Sequence, residues 1–74
     1  MQEPRIVCHL DRLMQERVPP LTAAKIAADT GVSGLSLMKL RRNSFVSIHA
    51  PTLAKLCAYL GVPLEQLLTV EGID

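Results

Sequence analysis

The chain has no tryptophan, one phenylalanine and one tyrosine, so aromatic rings cannot build its core. The core must be aliphatic, and a hydrophobic content of 49% supplies the leucine, isoleucine, valine and alanine for a small helical bundle. Long apolar runs are also missing. None nears the roughly 20 residues of a membrane-spanning helix, and the opening MQEPRIVCHL has no signal-peptide core. The expectation is a cytoplasmic protein with no membrane partner. Cysteine is sparse: Cys8 and Cys57 each sit in a helix-like pattern with apolar neighbours. That setting points to buried free thiols rather than a disulfide framework.

Acidic residues are absent from the middle of the chain. No Asp or Glu lies between Asp29 and Glu65, whereas Lys39, Arg41, Arg42 and Lys55 all do. The net charge of +1 conceals this asymmetry. A stretch with positive charges alone suits phosphate attraction, although a solvated surface with chance Lys and Arg would look the same. Catalytic constellations are lacking too. There is no phosphate-cradling glycine loop and no nucleophile with a supporting His and acid. Cys8, His9, His49 and Cys57 have the residue types of a zinc site without its close-paired spacing. No catalytic residue, metal or cofactor is expected.

Seventy-four residues allow one domain, 1–74, with an ordered core at about 5–68. A chain this short buries only about 60% of its unfolded surface, so it needs regular packing or association. After a loose start at Met1 to Pro4, the pattern Ile6, Leu10, Leu13, Met14 predicts a helix over 5–17 that Pro19-Pro20 ends. Asn43-Ser44 breaks the third helix, and Phe45, Val46 and Ile48 lie in a loop that can rest on the core. Pro51 suits the first turn of a fourth helix running to Leu60, with Leu53, Leu56, Cys57 and Leu60 inward and Gly61 as its stop. A short fifth helix, 64–68, packs Leu64, Leu67 and Leu68 back. The tail from Thr69 to Asp74 is read as too short and polar to fold alone, with Val70 and Ile73 free for another chain.

The chain is organised around TAAKIAADTGVSGLSLMKLRR, residues 22–42. Thr22 can cap a helix from Ala23 to about Thr30, because its oxygen accepts from an otherwise unpaired amide. Gly31 falls where a helix commonly ends in a left-handed residue. Ser33 can cap a second helix, in which Leu37 and Leu40 repeat at the i, i+3 spacing of one face. Two capped helices about a glycine turn, the second carrying Lys39, Arg41 and Arg42, describe a helix-turn-helix.

At these residues the chain resembles the Cro/CI-like (XRE-type) helix-turn-helix regulators of phages and bacteria. The likeness rests on Thr22, Ile26-Ala27, Gly31-Val32-Ser33 and Leu37, then on Thr52 to Val62 and Pro63 to Leu68, and spans about Arg5 to Leu68. It implies an all-α fold: a compact five-helix phage-repressor-like domain binding double-stranded DNA and regulating transcription. Its DNA-binding residues carry over as Thr22, Ser33, Gly34, Leu35, Ser36, Met38, Lys39, Arg41, Arg42 and Asn43. Gly34, Leu35 and Lys39 would point at base edges, and Thr22 with Ala23 would face a phosphate.

The chain departs from that family pattern at three positions. Where the family commonly has polar residues at the leading reading positions and Gln facing phosphate, this chain has Gly34, Leu35 and Ala23. Glycine reads no base, and leucine can touch only a thymine methyl. A rival reading follows: Leu35 and Met38, three apart, form an apolar pair suited to a protein partner, as in an antirepressor or assembly factor. The bland alternative buries one of them under the loop of Phe45 to Ile48. So small a unit makes few DNA contacts, so a homodimer on two half-sites is expected, and by family analogy its interface uses the C-terminal part.

Overall fold

The structure, a computed structural model, describes residues 3–72. Among these, strand β1 (Arg5–Cys8) precedes helices α1 (Leu10–Gln15), α2 (Ala23–Thr30), α3 (Gly34–Arg42), α4 (Ala50–Leu60) and α5 (Leu64–Leu67). Strand β2 (Leu68–Glu71) closes the order. The protein is therefore mainly helical with a small sheet, not purely all-α.

The sheet corrects the expected ends. β1 and β2 pair antiparallel, matching Arg5 with Glu71, Ile6 with Val70, Val7 with Thr69 and Cys8 with Leu68. β-Branched Ile6, Val7, Thr69 and Val70 favour extended backbone when a partner strand is at hand. Thr69 to Glu71 thus forms structure, and the first helix is only Leu10–Gln15 rather than 5–17. Ile6, assigned to an inward helical stripe, is 49% exposed on the sheet. Ile73 and the start at Met1-Gln2 lie outside the described residues.

The ladder continues into α1. The His9 amide donates to the Leu67 carbonyl at 2.8 Å, and His9 Nε2 lies 2.7 Å from the Thr69 hydroxyl. His9 is thus the half-buried joint between β1 and α1, not a residue within a helix. Cys8 is buried on the strand, Cys57 is half-buried on α4, and both are free thiols. Burial pushes the Cys8 thiol above its ordinary pKa.

Among the described residues the largest fully buried side chains, Leu10, Met14, Ile26, Leu37, Leu56 and Leu67, come from every helix and form the centre of the core. Phe45 packs partly against it, while Val46 is exposed. Leu64, expected to pack inward, is also exposed. Gly61 ends α4 in the left-handed conformation, and the Arg17 guanidinium donates to the Leu60 carbonyl there. No helix among the described residues is long and apolar enough to cross a membrane.

Candidate nucleic-acid interface

Local chemistry sets the two central helices at a fixed angle. Thr22 Oγ1 accepts from the Lys25 amide at 3.2 Å at the start of α2. Ser33 Oγ accepts from the Ser36 amide at 3.1 Å at the start of α3. Between them Gly31 turns with φ +78°, in the left-handed region where a Cβ would be strained. Its amide returns to the Ala27 carbonyl at 2.9 Å. Val32 buries its side chain in the turn, and Ile26 and Leu37 bury theirs from either helix. All of these caps and contacts lie where the residues predict them.

With Leu37 and Leu40 turned inward, α3 presents an outer face made by Leu35, Met38, Lys39 and Arg42, at i, i+3, i+4 and i+7. Its first turn is apolar and its last turn basic. Leu35 is 58% exposed and Met38 39% exposed, so the loop from Phe45 to Ile48 covers neither. Gly34 stands exposed at the head of the helix, and a Cβ built there would meet nothing within 4 Å. Lys39, Arg41 and Arg42 in the last turn also complement the helix dipole, a purely structural benefit.

Besides the capping residues Thr22 and Ser33, three more expected DNA contacts have partners inside the protein. Arg41 donates from Nε and Nη2 to Oδ1 of Asp11 on α1, at 2.9 and 2.8 Å. Asn43 ends α3 with φ 56°. Its Oδ1 accepts from the Cys8 amide at 2.6 Å and its Nδ2 donates to the Cys8 carbonyl at 3.1 Å, so the side chain extends the sheet like a further strand residue. Ser36, half-buried, shares its hydroxyl with Ser33 at 3.0 Å. Sequence reasoning missed both the Asp11 and the Cys8 partnerships.

Beside α3, a cavity of about 200 Å³ is lined by Ser36, Lys39 and Phe45 together with Ser47 of the loop and His49 and Thr52 at the start of α4. His49 Nδ1 lies 3.0 Å from the Thr52 hydroxyl. On the far side of α2, Asp29 accepts from the Tyr59 hydroxyl at 2.5 Å and pairs with Lys25 at 3.1 Å. The Tyr59 hydrogen bond first, then that of Lys25, holds the Asp29 carboxyl below its ordinary pKa. Among the described residues no group of three or more His, Cys, Asp or Glu gathers as a metal site.

Two capped helices about a left-handed glycine, the second with a free outer face, define a helix-turn-helix domain. A model of the Cro/C1-type HTH DNA-binding domain matches residues 9–72, and the chain belongs to that family. No curated protein and no solved structure gives a significant match to the chain.

Proposed function

We propose that this chain is a transcriptional regulator that inserts α3 into the DNA major groove as a homodimer. The observation that carries the reading is the outer face of α3, where Lys39 and Arg42 stand free of buried contacts in a segment without acids. A helix of this width fits the major groove, and its basic last turn suits phosphate. Gly34 and Leu35 lead the reading face, flanked by Ser36 and Met38. Thr22 and the first amides of α2, together with Ser33 at the start of α3, face the backbone. One domain makes few contacts, so binding uses two copies on neighbouring half-sites. Exposed Leu64 and Val70 at the C-terminal end support an interface there.

The test is a titration against a pool of random-sequence duplexes at physiological salt, with sequencing of what is retained. A two-fold symmetric enriched site is the expected result. Folded protein that retains no duplex would refute the proposal.

A second reading draws on the same exposed pair. Leu35 and Met38 also suit a protein partner, with DNA reading lost. Under it, Leu35→Ala breaks a protein complex while Lys39→Ala and Arg42→Ala leave that complex intact. Under the DNA reading the basic substitutions weaken duplex binding and flatten its salt dependence.

A further inference from the structure

We infer that α3 recognises thymine through its C5 methyl group, with Leu35 and Met38 as the specificity-determining residues and Gly34 allowing close approach. The inference rests on the DNA-binding reading and specifies what that surface recognises.

Three observations carry it. First, Leu35 is 58% exposed on the outer face of the helix, so packing within the chain does not account for its apolar character, and Met38 beside it keeps 39% of its surface open. Second, Lys39 and Arg42 continue the same face toward its basic end, so the patch is aligned for an anionic partner. Third, Gly34 is not needed by the fold. Its backbone is not in the left-handed region and a Cβ there would meet open space, whereas glycine in a helix is disfavoured. A residue that the fold does not require to be small, at the tip of the exposed face, leaves room for a surface outside the chain.

Duplex DNA offers that face one apolar feature in the major groove, the thymine methyl. Leu35 and Met38 are separated by about 4.5 Å along the helix axis, comparable to the ~3.4 Å between successive bases on a strand. They therefore meet methyl groups on neighbouring base pairs. Lys39, one turn further from the helix start than Leu35, is left for a guanine edge or a phosphate.

The experiment takes a duplex enriched from the random pool and remakes it with deoxyuridine in place of thymidine, one position at a time. Deoxyuridine keeps base pairing and removes only the methyl. Affinity is expected to fall about fourfold per contacted methyl, from the apolar surface lost. Leu35→Ala should bind the thymidine and deoxyuridine duplexes equally at its own contact, while unfolding at the same temperature as the parent protein. Met38→Ala should do the same at the neighbouring position. If every deoxyuridine duplex binds within twofold of its parent, or if the pool is retained without enrichment, the inference fails and DNA binding stands. If no duplex is retained, both fail.

Discussion

Arg41 reaches from α3 to Asp11 on α1 and places two nitrogens on one carboxylate oxygen, at 2.9 and 2.8 Å. The pair joins the helix proposed to meet DNA to the first helix of the fold. It also neutralises one of the three cations in the last turn of α3. Both side chains remain partly exposed, so the pair contributes at most about 1 kcal/mol to stability. Asp11→Asn should therefore leave the fold intact and release Arg41 toward phosphate. Duplex binding should tighten, and the slope of log affinity against log salt should steepen by about 0.9. A slope unchanged in Asp11→Asn, measured by fluorescence anisotropy, would mean that Arg41 lies away from the backbone.

Asn43 combines a left-handed backbone with two hydrogen bonds to Cys8. Asn43→Ala loses both bonds and strains the turn, for a destabilisation of about 2 kcal/mol. In a domain of this size that lowers the melting temperature by on the order of 10 °C. Asn43→Gly relieves the backbone and loses only the bonds, so its melting temperature should lie between that of Asn43→Ala and the parent. If alanine and glycine melt alike, the left-handed conformation contributes nothing.

Gly34→Ala separates stability from binding. Nothing obstructs the added methyl, and alanine is the better helix former, so the free protein should gain up to about 1 kcal/mol. Duplex affinity should nonetheless fall, because the methyl meets the groove. A variant that is both more stable and equally tight would remove the reason assigned to this glycine.

The Tyr59–Asp29 contact ties α4 to α2 and sets a pH dependence. In the folded chain the Asp29 carboxyl is held below its ordinary pKa, chiefly by the Tyr59 hydroxyl and next by Lys25. Its contribution to stability is thus complete above the ordinary aspartate range and disappears as pH falls through the lowered folded value. Tyr59→Phe should move the Asp29 titration, followed by carboxyl NMR shifts, up toward the ordinary value. An unmoved titration would show that the hydroxyl is not its partner in solution.

Residues 22–42 were legible because every signal there is local. The hydrogen bonds of Thr22, Gly31 and Ser33 close within four residues, and Leu37 and Leu40 reveal their face by spacing alone. The chain ends were not, because Ile6 and Val70 are strand residues only by virtue of each other, across more than sixty positions. Read alone, Ile6 fits a helical stripe as well as a strand. The same reason hid the fates of Arg41 and Asn43. Their residue types suit phosphate, while Asp11 and the Cys8 backbone, which occupy them, are brought near only by the fold. Leu64 illustrates a subtler failure: helical spacing in a four-residue helix leaves too little periodicity to separate its inner from its outer side.

Whether the outer face of α3 is the DNA surface can be read from amide chemical-shift mapping. The labelled protein would be titrated with a short duplex at low salt, where even non-specific binding is populated. The largest shifts are expected on Gly34 to Arg42 and on the start of α2 at Thr22 to Ala24, with smaller ones at Leu64 and Val70 where two copies meet. Shifts centred on β2 or on α4 and α5, with α3 unchanged, would contradict that assignment.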